Sequence, residues 1–278
     1  MWDEKIRFRD ALLFMNNWGL CIAGLTSLSL STLAHAGAWP TPVGEGQVIS
    51  TTLFDNASTG YDDDGNLTQQ VSFNKSEGAI YWEHGLTDKT TLILQSSYQD
   101  IQFTAGVDVV RFSGIGESYA GLRRVFWQND KWVASAQAGV IFSGSGEAIS
   151  DADLGTGSTH YEGRFLVGRS FKLAKKDGFV DVQIAYRYRP TAQPDERRVD
   201  ATLGWKPSEK FQILAQGFYT QSAEQFEIAR RNTRLKLQGS VVYNHNPKTS
   251  YQIGLYQTVA GRNIVKENAF FMSVWKRY

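Results

Sequence analysis

The sequence predicts an all-β protein, an up-and-down antiparallel transmembrane β-barrel of about 12 strands. Three observations predict this fold. Apolar and polar residues alternate along most of the chain, short polar turns alternate with longer loops, and tryptophans lie beside the short turns. The 278 residues are 42% apolar, 13% aromatic and 21% charged, with a net charge of +1. This composition is too apolar for a disordered chain, and the balanced charge argues against a nucleic-acid partner.

The first 36 residues predict a secretory signal peptide, with residues 37–278 as the barrel domain. Lys5, Arg7 and Arg9 precede an apolar run that ends in a small-x-small cleavage site at residues 34–36. A single anchoring helix is the alternative, but the run carries five Ser or Thr and is short for a membrane span. Cleavage after residue 36 would remove Cys21, the only cysteine of the chain.

From Gln47 onward, apolar residues recur at every second position, which is the period of a β-strand. The clearest run alternates Val180, Val182, Ile184, Tyr186 and Tyr188 on one face with Asp181, Gln183, Ala185, Arg187 and Arg189 on the other. In a soluble β-sandwich the polar face would meet bulk water, whereas in a membrane barrel it would line a wet lumen. Alternation by itself leaves both architectures open.

The lengths of the connections favour the barrel. Short polar turns are predicted at residues 86–89, 128–131, 174–178, 206–210 and 244–248, and longer loops at residues 56–67, 104–113, 143–159 and 191–196. Outer-membrane barrels have short turns on the periplasmic side and long loops outside. Five short turns with both chain ends on the same side give six hairpins, and so 12 strands.

Aromatic residues predict the two membrane–water interfaces, where indole and phenol rings concentrate. The six tryptophans of the barrel domain are predicted to form a girdle at the short turns and chain ends: Trp39, Trp82, Trp127, Trp132, Trp205 and Trp275. The opposite girdle is predicted from Tyr98, Phe142, Tyr161, Tyr188 and Tyr219. In a sandwich, tryptophans would instead lie in the middle of strands.

The C-terminus and three further segments resemble those of known proteins. Phe270, Met272, Val274 and Tyr278 alternate to a terminal aromatic residue, which resembles the signal by which the barrel assembly machinery recognises its substrates. Residues 37–278 as a whole resemble Gram-negative outer-membrane β-barrel proteins of the twelve-stranded monomeric type. Gly37-Ala38-Trp39-Pro40, the stretch 179–187 and residues 259–263 are similar to segments of a poorly characterised group associated with envelope transport or exopolysaccharide export.

This resemblance implies an outer-membrane location, contact with outer-membrane lipid and lipopolysaccharide, a small solute or a polysaccharide as the transported partner, and no cofactor.

The polar face of the strands predicts a charged lumen. The candidates for the lumen and the solute path are Arg123, Arg164, Asp181, Arg187, Arg189, Arg198, Asp200, Arg234 and Lys236, and Glu117 and Glu162 point the same way. A turn centred near Gln193 would pair Arg187 with Asp200. One hypothesis is a narrow pore with a basic excess that guides small anionic or hydroxylated solutes. The alternative is a ladder of ion pairs that fills a non-conducting barrel, since 12 strands lie between filled and open barrels.

Catalytic and metal sites are not predicted. An outer-leaflet lipid hydrolase would need His and Ser together on the outer face, and the only candidate pair is His160 with Ser158. Asp62 would begin a calcium loop, but the required Gly and Glu positions hold Leu67 and Phe73. Arg230-Arg231 near a strand end could contact lipopolysaccharide phosphates or be solvated. The sequence therefore predicts a passive channel or export component that is not an enzyme.

Overall fold

The structure of the chain is a computed structural model. It describes residues 37–68, 71–105, 108–144, 159–190, 194–222 and 232–278. The predicted signal peptide, Ser158, Gln193 and Arg230-Arg231 lie outside the described residues, so those predictions stay untested. The described part of the chain contains no helix able to cross a membrane.

The described residues form fifteen β-strands. These are β1 (Gly46–Ala57), β2 (Gly60–Tyr61), β3 (Phe73–Thr87), β4 (Thr90–Ala105), β5 (Asp108–Ile115), β6 (Ser118–Gln128), β7 (Trp132–Phe142), β8 (Thr159–Leu173), β9 (Lys176–Tyr188), β10 (Glu196–Trp205), β11 (Phe211–Ser222), β12 (Asn232–Asn246), β13 (Thr249–Arg262), β14 (Ile264–Val265) and β15 (Asn268–Arg277).

Thirteen of these strands close into an antiparallel barrel with 12 positions. β5 and β6 together occupy one position, because both pair with β4 and only residues 116–117 separate them. β1 pairs with β3 on one side and with β15 on the other, which closes the ring. β2 and β14 form a separate small ladder. The predicted twelve-stranded all-β barrel is confirmed.

The short turns lie where the sequence places them. β8 and β9, for example, are joined at Ala174 and Lys175, which both adopt left-handed backbone conformations with φ of 50° and 63°. The loop predicted at residues 104–113 is wrong: β4 continues to Ala105 and β5 begins at Asp108. The two-residue alternation around Phe112 continues the strand there, and pairing with β4 satisfies its backbone.

The alternating pattern divides the barrel into a lipid-facing outside and a polar inside. Val182, Ile184 and Leu255 face outward with exposed fractions of 40%, 59% and 63%, whereas Asp181 and Gln183 face inward and are buried. A closed ring of strands with an apolar outer surface is the structure of an outer-membrane barrel.

The outer surface carries aromatic residues at both ends, but two tryptophans were predicted on the wrong face. Trp127 and Trp132 are exposed, and Trp82 and Trp205 are partly exposed. Trp275 is fully buried inside the barrel, because it shares the parity of Phe271 and Ser273 rather than that of lipid-facing Val274. Trp39 is partly buried against Phe179.

Apolar side chains fill part of the barrel interior. At the end with the short turns, Trp275 packs in a cluster with Ile49, Tyr81, Ile93, Leu214 and Val242. At the opposite end, Ala57, Phe73, Ile101, Phe103, Phe112 and Val265 form a second cluster beside the β2–β14 ladder. Packed hydrophobic side chains therefore occupy part of the interior at both ends of the barrel.

Replacing Trp275 with Ala tests this inner layer. We expect Trp275→Ala to lower the free energy of unfolding by about 3–5 kcal/mol, because it empties a packed site. Trp205→Ala, on the outer face of the same end, should cost less. The measurement is urea unfolding of the vesicle-inserted barrel, followed by the gel-mobility difference between folded and unfolded forms. Equal losses for the two variants would contradict an inward-facing Trp275.

Candidate lumenal site

All nine side chains predicted for the lumen face the barrel interior. Eight are buried: Arg123, Asp181, Arg187, Arg189, Arg198, Asp200, Arg234 and Lys236. The ninth, Arg164, retains 10% of its side-chain exposure. Their placement follows from strand alternation, since each occupies the same parity as the buried residues of its strand.

Most of these residues form one network, here called the arginine ladder. It consists of five bases and four acids: Arg164, Arg187, Arg189, Arg198 and Arg234 with Glu117, Glu162, Glu196 and Asp200. The register of neighbouring strands brings these charges together, because Arg187 on β9 lies opposite Glu162 on β8 and Glu196 on β10. Opposite charges at directly facing positions stabilise an antiparallel pair.

Each carboxylate at the centre of the ladder serves several guanidinium groups. Glu162 Oε1 lies 3.0 Å from Arg164 Nη2, while Glu162 Oε2 lies 3.5 Å from Arg187 Nε and 3.9 Å from Arg198 Nη1. Glu196 Oε1 lies 2.6 Å from Arg189 Nη2, and its Oε2 lies 2.7 Å from Arg198 Nη2. Charges removed from water need such pairing, because desolvation of an isolated ion is costly.

The other two acids of the ladder, Glu117 and Asp200, accept hydrogen bonds from its arginines. Arg187 Nη1 donates to both Glu117 oxygens at 2.9 Å, and Glu117 sits at the break between β5 and β6. Arg164 Nη1 donates to Asp200 Oδ2 at 2.5 Å. Glu117 is the most exposed member of these pairs, with 24% of its side chain accessible.

The predicted pair of Arg187 with Asp200 is wrong. Arg187 lies opposite Glu196, and Asp200 lies opposite Gln183. The centre of the β9–β10 register therefore lies two residues earlier in the chain than the prediction assumed. Because each residue's partner changes by an even number of positions, every side chain keeps its predicted face.

A second charged group, here called the lysine cluster, lies along β1, β3 and β12. Lys75 Nζ is 3.1 Å from Glu77, and Lys236 Nζ is 2.6 Å from Glu267. Asp55 accepts a hydrogen bond from Tyr256. Nearer the short turns, Arg123 Nη2 is 3.2 Å from Glu83.

These acids change the predicted charge of the lumen. The arginine ladder holds five bases against four acids, whereas the lysine cluster holds two bases (Lys75 and Lys236) against three acids (Asp55, Glu77 and Glu267). Adding Arg123, Glu83 and Asp181 gives eight bases and nine acids, and Arg277, which shares the inward parity of Trp275 at the short-turn end, brings the described inward-facing bases to nine. The predicted basic excess therefore holds within the ladder only.

Sequence reasoning missed Glu196 and the charged residues of β3. Glu196 lies two and four positions before Arg198 and Asp200, so the strand parity that found those residues also covers it. Lys75, Glu77 and Glu83 alternate with outward residues in the same way. The same two-residue alternation is present in β3, but the first outward-facing residues of this strand are polar. Because both faces are then polar, the alternation of apolar and polar residues is hard to recognise there.

Some guanidinium N–H groups in the lumen have no hydrogen-bond acceptor among the described residues. These are Nε and Nη1 of Arg123, together with Nε of Arg189. Both side chains are more than nine-tenths buried. Donors of this kind can bind the oxygens of a carboxylate, a phosphate or a hydroxylated solute that enters the lumen.

His160 and Asp62 have structural surroundings that differ from those of catalytic or metal sites. His160 faces inward on β8 and is buried, so it does not meet the requirement for an outer-leaflet lipid hydrolase. Asp62 accepts the backbone N–H groups of Asn66 and Asp64, which lower the pKa of its carboxyl. No group of three or more metal-ligating side chains occurs in the described ranges.

Comparison with known protein families assigns the chain to one of them. The model of a family described as "Putative MetA-pathway of phenol degradation" matches residues 26–274. The chain belongs to this family. None of the curated proteins matches it.

Solved structures with the same fold have different activities. An outer membrane channel from Pseudomonas putida F1 is 13% identical, with a TM-score of 0.69 over 88% of this chain and 100% of that one. The translocator domain of the autotransporter NalP from Neisseria meningitidis is 12% identical, with a TM-score of 0.54 over 98% of both chains. The KdgM porin in complex with disordered oligogalacturonate is 8% identical, with a TM-score of 0.50 over 83% of this chain and 98% of that one. These likenesses establish the fold of this family member.

Neutralising Glu162 tests the energetics of the ladder. We expect Glu162→Gln to destabilise the barrel by about 3–5 kcal/mol, because it leaves buried guanidinium charge without its carboxylate. The matched control is Asp177→Asn, which breaks a pair with Lys172 whose side chains are both 74% exposed. That pair should contribute about 0–1 kcal/mol. Urea unfolding measures both, and a loss for Glu162→Gln no larger than the control would show that the ladder does not support the fold.

Proposed function

We propose that this protein is a narrow passive channel, or the outer-membrane part of an export system, for small anionic or hydroxylated solutes. The observation that carries the proposal is the arginine ladder, which lines one inner wall with guanidinium groups from β8, β9, β10 and β12. Its basic excess favours anions, and guanidinium forks recognise carboxylate, phosphate and hydroxyl oxygens.

Because several arginines share one carboxylate, the ladder can exchange one of these contacts for a contact with a solute. Glu162 is held by more than one arginine, at distances between 3.0 and 3.9 Å. An entering anion can take over one of these contacts while the others keep the carboxylate in place. Among the described residues, N–H groups of Arg123 and Arg189 have no protein acceptor and offer further contacts of this kind.

Conduction requires the lumen to open. Arg187, Arg198 and Glu196 each keep less than 10% of their side-chain exposure, and packed apolar residues lie below them. In the proposed channel, these inner side chains therefore move before a solute passes. The KdgM porin, which has a similar fold, has been solved in complex with disordered oligogalacturonate.

The second candidate function is a non-conducting structural or surface-interaction barrel with a permanently filled lumen. Burial of most of the ladder favours it, since twelve strands lie between a barrel filled by side chains and an open one. The two candidates differ in conductance. An enzyme of the outer leaflet has less support, because His160 faces the lumen.

Export and assembly follow from the same proposal. Residues 1–36 act as a cleaved signal peptide, and the barrel sits among outer-membrane lipid and lipopolysaccharide. Tyr278 directly follows β15 on its outward face, and its hydroxyl accepts a hydrogen bond from Trp82 on β3. The barrel assembly machinery recognises this last strand before it closes on β1.

Planar-bilayer recording of Arg198→Gln tests the channel. We expect the anion-over-cation permeability ratio to fall by roughly fivefold, since loss of one unit charge at about 4 Å is worth about 1 kcal/mol even in water. The matched control is Arg197→Gln, which changes the adjacent residue on the outer face of β10 and should leave selectivity unchanged.

Two results would contradict the channel proposal or its site. Folding of each variant is first verified by gel mobility. Absence of conductance in the wild type and in both variants would remove the channel and leave the filled barrel. Equal selectivity changes in Arg198→Gln and Arg197→Gln would show that the ladder does not line the path.

A further inference from the structure

Residues 37–45, here called the inner segment, cross the short-turn end of the barrel from one wall to the other. The segment leads into β1, which begins at Gly46, while its first residues contact β8 and β9. β9 is six positions from β1 around a ring of twelve, so the two strands lie on opposite sides. Eight extended residues reach about 26 Å, which is enough to cross the lumen.

Close packing holds the first half of the inner segment. Ala38 is fully buried with Val125, Val133 and Leu166, and the Trp39 ring lies so close to Gly168 that a Cβ there would be 2.5 Å from it. Trp39 also meets the Phe179 ring edge-on at 5.9 Å.

The other half of the segment is fastened to the β3–β4 wall by hydrogen bonds. The Thr41 N–H donates to Thr91 Oγ1, and the Gly44 N–H donates to the Gly85 carbonyl. A Cβ at Gly85 would lie 2.1 Å from the Pro42 carbonyl oxygen, so this approach of two backbones depends on glycine.

The first residues of the inner segment contact Asp181 of β9. Among the described residues, no cationic side chain forms an ion pair with Asp181. Its Oδ2 accepts the Ala38 N–H at 2.8 Å, and its Oδ1 accepts Gln183 Nε2 at 2.6 Å. It takes part in none of the ion pairs among the described residues, and Arg123 and Arg164 act on it from beyond 4 Å. A carboxylate that is 2% exposed with only neutral donors lacks a counter-charge.

Gly37 places a nitrogen where that counter-charge is needed. A Cβ built on Gly37 would lie 2.6 Å from Asp181 Oδ2, so the Gly37 nitrogen is within about 5 Å of the carboxylate by covalent geometry. If the signal peptide is cleaved after Ala36, this nitrogen becomes an α-ammonium group. Opposite charges at this separation attract strongly away from water.

We infer that Asp181 is the binding site for the α-ammonium group of the processed chain, and that this ion pair locks the inner segment across the periplasmic mouth. The inference rests on the proposed signal peptide but does not depend on the channel function. Removal of the signal peptide therefore creates the charged group that fixes the inner segment across the lumen. Release of the pair frees one end of the segment while its attachments to β3 and β4 hold the other.

Chemical labelling of the native protein tests the ion pair. The protein is purified from membranes in detergent, and its first residue is determined by mass spectrometry. An acylating reagent is then applied at neutral pH, where α-amines react and lysines are protonated. We expect Gly37 to be acylated at least about tenfold more slowly in the folded than in the urea-unfolded protein, because a buried group reacts only through opened states.

Two variants and a control make the test specific. Asp181→Asn keeps the size of the side chain and removes its charge, so it should bring the labelling rate of Gly37 close to that of the unfolded chain. Gly37→Ala should do the same by placing a Cβ against the carboxylate, which serves if Asp181→Asn fails to fold. Asp177→Asn, at an exposed position of the same strand, should retain full protection.

The outcomes separate this inference from the proposed function. A first residue other than Gly37, fast labelling in the folded wild type, or full protection in both lumenal variants would each overturn the ion pair. Protection that is lost in Asp181→Asn supports it, with or without conductance. If the channel also exists, Asp181→Asn should raise its conductance, and unchanged conductance would show that the segment does not obstruct the path.

Discussion

The pairing of β1 with β15 is the interaction on which the rest of the structure depends. In lipid, each unpaired backbone N–H or C=O costs several kcal/mol, and a sheet can avoid this cost only by closing on itself. Ten residue pairs join β1 to β15, from Gln47 with Arg277 to Asn56 with Asn268. Because that closure leaves no free edge, every strand has one face toward lipid and one toward the interior, and each side chain is assigned to lipid or lumen by its parity.

Closure also explains why so much charge is buried. An inward face enclosed by twelve strands is narrow, so Arg187 and Arg198 cannot reach bulk water and instead bind Glu162 and Glu196. Such pairs offset desolvation only when several partners surround each ion, and the shared carboxylates of the arginine ladder meet that condition. The arrangement that stabilises the closed barrel is the same one that would recognise an anion, which is why stability and transport are coupled in the proposed function.

The interior is divided into parts with different properties. Arginines and glutamates line β8 to β12, apolar side chains fill the short-turn end around Trp275, and the inner segment ends at Asp181. Each part comes from residues distant in sequence; Ala38 and Asp181 are 143 positions apart. In the proposed channel, the ladder would set which solute is preferred, whereas the apolar layer and the inner segment would set whether any solute passes.

The sequence by itself determined the number of strands, the five turns and the inward face of the nine lumenal residues, because these follow from a two-residue period and from local turn chemistry. It did not determine which charges meet. Arg187 pairs with Glu196 rather than Asp200 because the hairpin register depends on tertiary closure, and an even change of register leaves no trace in the face pattern. The inward position of Trp275 and the reach of residues 37–45 to β9 were also decided by the closed barrel, since only closure brings the two ends of the chain and opposite walls around one lumen.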